Sequence, residues 1–109
     1  MPARLWWGAT TIEMNYIILS IVLFCIGVLG VLARRNLIVI LISIELMLSA
    51  ANIAFVAFGR MNNGLDGDVV VLFNFVIAAC EAAVGLAIIV AAYRLKGTVD
   101  IGVWKELKN

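Results

Sequence analysis

The stretch "VVVLFNFVIAACEAAVGLAIIVAAY", residues Val69 to Tyr93, is a long apolar run with one carboxylate, Glu81, near its centre. It exceeds the about 20 residues that an α-helix needs to cross a hydrocarbon core about 30 Å thick. Inside a bilayer the backbone must satisfy its own hydrogen bonds, so such a run forms a helix despite its many valine and isoleucine residues. A charged side chain there costs about 2.5 to 3.5 kcal/mol, and this expense is typical of functional residues.

Two further apolar runs, Tyr16 to Ala33 and Leu37 to Phe58, are also long enough to span a membrane. "RRN", residues 34–36, separates them, and "GRMNNGLDGD", residues 59–68, carries the Asn-Gly and Asp-Gly pairs of an exposed loop. The composition agrees, because 65% of the 109 residues are hydrophobic and only 14% are charged. We therefore predict an all-α membrane protein with three transmembrane helices, at residues 16–33, 37–58 and 69–93.

The basic residues next to the spans predict the orientation of the chain, because cytoplasmic loops are enriched in lysine and arginine. Residues 1–15 would form a periplasmic extension, 34–36 a cytoplasmic loop, 59–68 a periplasmic loop and 94–109 a cytoplasmic tail. The extension lacks the small-residue cleavage site of a signal peptide, so we expect the first span to be retained. This predicts a multi-pass protein of the bacterial inner (plasma) membrane. The residues used are Arg34, Arg35, Arg94, Lys96, Lys105 and Lys108, against Arg4 and Arg60 on the other side.

Missing residue types exclude several kinds of chemistry. The chain has no histidine, which argues against bis-histidine haem, histidine metal sites and Ser-His-Asp hydrolysis. Its two cysteines, Cys25 and Cys80, are too few for an iron–sulfur cluster and are more typical of packing residues than of a disulfide. No nucleotide-binding glycine motif and no basic cluster for nucleic acid is present. We predict no metal and no cofactor bound by this chain.

The remaining candidate chemistry is acidic. Glu45, in "LISIELMLSAAN", lies about 12 Å from the inner end of its helix, and Glu81 about 18 Å from either end of the next, so both have a similar central depth. Ser49 and Asn52 follow Glu45 on its own helix face, and Asn74 precedes Glu81 by two turns. We predict proton transfer by the two glutamates, while the other three side chains serve either a relay or helix packing.

The chain resembles a known family in these same segments. "RRNLIVILISIELMLSAANIAFV" (residues 34–56), "DGD" (66–68) and "AACEAAVGLAIIV" (78–90) closely resemble the smallest membrane subunit, the K subunit, of respiratory NADH:quinone oxidoreductase, or complex I. The resemblance extends from Asn15 to about Lys96. Family members usually begin a few residues before the first span, which makes Met1 to Glu13 an extension.

The resemblance implies a subunit of a proton-translocating enzyme, without a redox centre of its own, between the quinone end of the membrane arm and the antiporter-like subunits. NADH, FMN, iron–sulfur clusters and quinone would then bind to partner subunits. It also implies that Glu45 and Glu81 belong to a hydrated polar axis along the arm, and that Arg34 and Arg35 in the cytoplasmic loop contribute to activity.

Two alternatives stay open. The chain could be the small subunit of a multisubunit cation/proton antiporter, whose three-helix component is similar to this family. It could also be a non-catalytic assembly scaffold in which the acids only brace the helices.

Overall fold

A computed structural model describes residues 3–62, 64–97 and 99–102, with side chains from residue 11 onward. It contains the three predicted helices: α1 (Ala3–Ala33), α2 (Leu37–Met61) and α3 (Asp66–Lys96). Each is long and apolar enough to cross a membrane. Helix α1 begins within the stretch assigned to the N-terminal extension, and Lys105 and Lys108 of the predicted tail lie outside the described residues.

Local sequence signals explain where the helices begin and end. Asn36 caps α2, since its side-chain oxygen accepts a 2.9 Å hydrogen bond from the backbone N–H of Ile38. Gly97 ends α3 in the left-handed conformation at φ 70°, which glycine adopts without steric cost, and its N–H donates to the Tyr93 carbonyl oxygen at 2.6 Å. Asn36 lies in the predicted break between the first two apolar runs, and Gly97 lies in the predicted tail just after the third.

The contact between α1 and α2 follows a seven-residue spacing of small and polar side chains. Such a spacing keeps one seam of each helix facing the other over many turns. The Ser20 hydroxyl donates a 2.5 Å hydrogen bond across this seam to the Ala50 carbonyl oxygen. Seven residues further along each helix, a Cβ added at Gly27 would lie 2.9 Å from the Ser43 carbonyl oxygen. The buried residues of the seam are Glu13, Ser20 and Gly27 on α1 and Ser43, Ala50 and Ala57 on α2.

Helix α2 also packs along α3, and two glycines allow the close approach. A Cβ added at Gly67 would lie 3.3 Å from the Gly59 Cα and would overlap the carbonyl group of Phe55. At the other end, a Cβ at Gly85 would lie 2.9 Å from a methyl carbon of Leu41. Helix α2 is thus the middle helix, in contact with α1 on one side and α3 on the other.

The apolar core inside this chain is very small. Among the described residues, the buried hydrophobic side chains are Ala50, Ala57, Val71 and Ile89. Large apolar side chains are exposed along α1 and α3, and Cys25 and Cys80 are free and exposed. Lipid or partner helices must therefore cover most of the apolar surface.

Candidate functional site

Helices α2 and α3 hold a constant antiparallel register over most of their length. The Asn74 side-chain amide donates a 2.8 Å hydrogen bond to the Asn52 side-chain oxygen, directly across the contact. Asn52 lies eleven residues after Leu41, and Asn74 lies eleven residues before its contact partner Gly85. The glycine contact at the other end is seven residues beyond the asparagine pair on both helices. Because the steps between these contacts are equal on α2 and α3, the register of the two helices stays the same from one contact to the next.

This register puts the two membrane carboxylates at one level. Glu45 comes four residues after Leu41 on α2, and Glu81 comes four residues before Gly85 on α3. Since Leu41 and Gly85 are in contact, the backbone positions of the two glutamates lie opposite each other on neighbouring helices.

The two glutamates have different surroundings. Glu45 is half-buried. Its Oε1 atom is fully buried, yet it has no hydrogen-bond partner among the described residues. A buried oxygen without a donor is unfavourable by about 1–3 kcal/mol, so water or a neighbouring chain is needed to supply one. Glu81 is exposed on α3. The burial expected for Glu81 from its depth is therefore not provided by this chain.

The three polar neighbours differ in their roles. Asn52 is buried and joins Asn74 in the hydrogen bond described above, which makes this pair a helix-packing contact as well as a polar group near the glutamates. Ser49, one turn after Glu45, is exposed and lines a cavity. The structure therefore brings Asn52 and Asn74 together in a hydrogen bond, while Ser49 shares only the cavity lining with Asn52.

That cavity, of about 410 Å³, lies among the three helices toward the N-terminal end of α1. A third acid, Glu13, lines it, and only 8% of this side chain is exposed. The seven-residue register of α1 with α2 places Glu13 level with Ala57. The cavity is lined by Glu13, Tyr16, Ser49, Asn52, Ile53, Val56, Ala57, Arg60, Val71 and Phe75.

Sequence analysis missed Glu13 because the apolar run begins only at Tyr16. The signal that could have found it is the spacing of Glu13, Ser20 and Gly27, which recur every seven residues and form the buried seam of α1. An acid on such a seam faces the neighbouring helix rather than solvent.

Arg34 and Arg35, in the loop between α1 and α2, are exposed. The segment that follows α3 makes backbone hydrogen bonds to this loop. The Arg35 carbonyl oxygen accepts a 3.0 Å hydrogen bond from the N–H of Ile101, and the N–H of Leu37 donates to the Val99 carbonyl oxygen at 2.9 Å. The tail and the loop thus form an isolated antiparallel β-bridge, between Asn36 and Asp100, at this end of the molecule. Arg34 and Arg35 lie far from the glutamates along the helix axis, since Glu45 is ten residues beyond Arg35.

No group of three or more histidine, cysteine, aspartate or glutamate side chains that could hold a metal ion occurs within the described part of the chain. The chemistry available to the site is therefore that of separate carboxylates, amides and hydroxyls in a largely apolar bundle.

Comparison with known proteins identifies the family. Residues 15–109 match the family of NADH-ubiquinone/plastoquinone oxidoreductase chain 4L. The chain is 53% identical over 95 residues to NADH-quinone oxidoreductase subunit K of Flavobacterium johnsoniae, and 52% identical over 95 residues to that of Flavobacterium psychrophilum. In both cases the alignment covers 87% of this chain and 90% of the relative. The chain belongs to the chain 4L/K family of membrane subunits of NADH-quinone oxidoreductase.

Proposed function

We propose that this subunit carries protons within the membrane arm of a proton-translocating NADH:quinone oxidoreductase, with Glu45 and Glu81 as the groups that bind and release them. The carrying observation is that the backbone positions of the two acids lie opposite each other on neighbouring helices in the apolar part of the bundle. The unpartnered Oε1 of Glu45 supports the proposal, since a carboxyl group that only braced the helices would be hydrogen-bonded.

The exposure of Glu81 supports a role at a subunit boundary. A carboxylate in contact with acyl chains is unfavourable by about 2.5 to 3.5 kcal/mol, so we expect a helix of a partner subunit, or water held by it, to cover Glu81. The proton then moves parallel to the membrane plane, from one subunit to the next, and binds to Glu45 and Glu81 on its way. The partners would be the quinone-end and antiporter-like subunits, which also hold the NADH, FMN, iron–sulfur and quinone sites.

The energies involved are compatible with transport. Moving one elementary charge against about 100 mV requires about 2.3 kcal/mol, which is close to the cost of placing a carboxylate at the membrane centre. A change in hydration or local field that follows quinone reduction elsewhere in the complex is therefore large enough to alter the protonation of this pair.

The orientation is part of the proposal. Because Arg34, Arg35, Arg94 and Lys96 lie at one end of the bundle and Arg60 at the other, the positive-inside rule puts the loop after α1 in the cytoplasm. The N-terminal end of α1 then faces the periplasm of a bacterial inner membrane. The two arginines anchor the cytoplasmic end and contribute to activity there.

Substitution of the two acids tests the function. Glu45→Gln and Glu81→Gln should each lower proton pumping in vesicles that contain the whole complex, and the double variant should abolish it, with assembly intact. Asp66→Asn is the control, because it removes an exposed carboxylate from the first residue of α3. This variant should pump normally. An assembled double variant that pumps as the wild type does would refute the proposal.

The scaffold alternative has one observation in its favour, since an exposed acid on α3 can also hold a partner helix by a hydrogen bond. It predicts that Gln variants pump normally whereas Glu81→Ala prevents assembly. Purification in mild detergent separates the antiporter alternative, because only a complex I subunit should copurify with NADH-oxidising flavoprotein and iron–sulfur subunits.

A further inference from the structure

Glu13 is a buried acid that the proposed function does not use. It lies outside the segment that matches the family, residues 15–109, and more than nine-tenths of its side chain is buried. It lines the same cavity as Ser49 and Asn52, which are the polar residues next to Glu45. A carboxylate in such a position is unfavourable unless the cavity offers it water or a counter-charge.

We propose that Glu13 is a third proton-exchange residue, and that it exchanges protons with Glu45 through the cavity and through Ser49, which lines the cavity one turn from Glu45. This inference rests on the proposed role of Glu45. The proton leaves the Glu45 carboxyl group, passes along water in the cavity, and binds to the Glu13 carboxylate. Glu13 then releases it to water at the N-terminal end of α1, which restores the Glu13 carboxylate. Glu45 takes up a new proton from the side of Glu81, and only then are both groups back in their starting states.

The length of the path follows from the helix registers. Glu13 is level with Ala57, twelve residues beyond Glu45 on α2, which corresponds to about 18 Å along the axis. Ser49 lies one turn from Glu45 and lines the cavity, so the cavity begins about 6 Å beyond the acid. The remaining distance is spanned by the cavity itself.

The cavity is open to the surface of the bundle and mostly apolar, and once a partner subunit covers it, it is large enough for a chain of water molecules. At about 30 Å³ for each water, its 410 Å³ correspond to about a dozen molecules. Water persists in a cavity only where polar groups bind it, and Glu13, Tyr16, Ser49 and Asn52 supply hydroxyl, amide and carboxyl groups along its length.

Charge supports the same assignment. Arg60, in the last turn of α2, is exposed and lines the cavity, so the cavity reaches the end of this helix and contains one cation with the Glu13 carboxylate. Within the cavity lining, the other titratable group from α1 is the Tyr16 phenol, and α3 contributes Val71 and Phe75. Arg60 therefore supplies a positive charge in the cavity that the Glu13 carboxylate also lines, which favours the charged state of Glu13 after the proton has left.

The test is Glu13→Gln in the complete complex, with Glu13→Asp as the conservative variant and Asp66→Asn as the control at the same end of the molecule. Proton pumping and pumping-coupled NADH oxidation should fall at least about tenfold in Glu13→Gln, since the amide cannot exchange a proton. Glu13→Asp should retain an intermediate rate, and Asp66→Asn should be normal. A chain that begins at Met14 should behave as Glu13→Gln does.

A second readout separates proton exchange from packing. The infrared difference spectrum between the oxidised and NADH-reduced complex should lose a carboxyl band in Glu13→Gln but not in Asp66→Asn. Normal pumping by Glu13→Gln, an unchanged carboxyl spectrum, or loss of assembly with Gln but not with Asp would overturn the inference. If Glu45→Gln impairs pumping while Glu13→Gln does not, the role of Glu45 stands and only that of Glu13 fails.

Discussion

Gly67→Ala tests the register between α2 and α3, which places Glu45 and Glu81 at the same depth. A Cβ at Gly67 would lie 2.9 Å from the Phe55 carbonyl carbon, closer still to its oxygen, and 3.3 Å from the Gly59 Cα. All three atoms belong to the backbone of α2, which cannot rotate away as a flexible side chain can. The two helices must therefore separate at this crossing.

The required movement can be worked out from these distances. Ordinary contact begins at 3.4 Å, so the carbon contact alone needs the helices to part by 0.5 Å (3.4 minus 2.9), and the oxygen contact needs more. Overpacking typically costs about 1–3 kcal/mol, and a clash with backbone belongs in the upper half of this range. Alanine recovers about 1 kcal/mol through its better helix propensity. The expected net loss is about 1–2 kcal/mol, a factor of about 5–30 in the equilibrium between packed and separated helices.

The assay is the heat resistance of the assembled complex in mild detergent, measured as the fraction that retains this subunit after a temperature ramp. Gly64→Ala is the matched control, because the nearest atoms to a Cβ there are 4.0 Å away and its backbone has no positive φ. Gly67→Ala should release the subunit at lower temperature than Gly64→Ala. Equal behaviour of the two variants would refute the close crossing and with it the register.

Two other contacts yield predictions. The first is a double-mutant cycle with Asn52→Leu and Asn74→Leu, measured by retention of the subunit in the complex. The coupling energy should be about 0.6 kcal/mol and at most about 1.7 kcal/mol, as for other hydrogen bonds between membrane helices. A coupling energy of zero would contradict the hydrogen bond between the two amides. Ile101→Pro removes the N–H that donates to the Arg35 carbonyl oxygen, so hydrogen–deuterium exchange at the Leu37 amide should speed up in the assembled complex; unchanged exchange would show that the tail does not hold the loop.

The three helices were predictable from sequence because each apolar run has the length that a bilayer demands. The first break was predictable too, since Asn36 caps α2. The second break is shorter than the predicted loop at residues 59–68, because α2 continues to Met61 and Asp66 and Gly67 already belong to the first turn of α3. Rise per residue also gave similar depths for Glu45 and Glu81, and the helix register agrees with this. These properties depend only on local sequence and on the thickness of the membrane.

Properties that depend on contact between helices were not predictable. The depth estimate could not reveal that Glu81 points away from the rest of the chain, because exposure depends on how α3 is rotated against α2. It could not reveal the Asn52–Asn74 hydrogen bond either, since both amides fitted a relay or a packing role equally well. Glu13 was missed for a related reason, because a polar residue ahead of an apolar run resembles a solvated terminus until the next helix is seen to cover it.

The outward position of Glu81 also affects the life of the chain before assembly. A copy made in excess of its partners would hold this acid against lipid, at a free-energy cost of about 2.5 to 3.5 kcal/mol that the proposed partner helix would remove on assembly. The same side chain therefore distinguishes an orphan subunit from a mature one. We expect a cell that synthesises this chain alone to recognise the difference and to degrade the surplus.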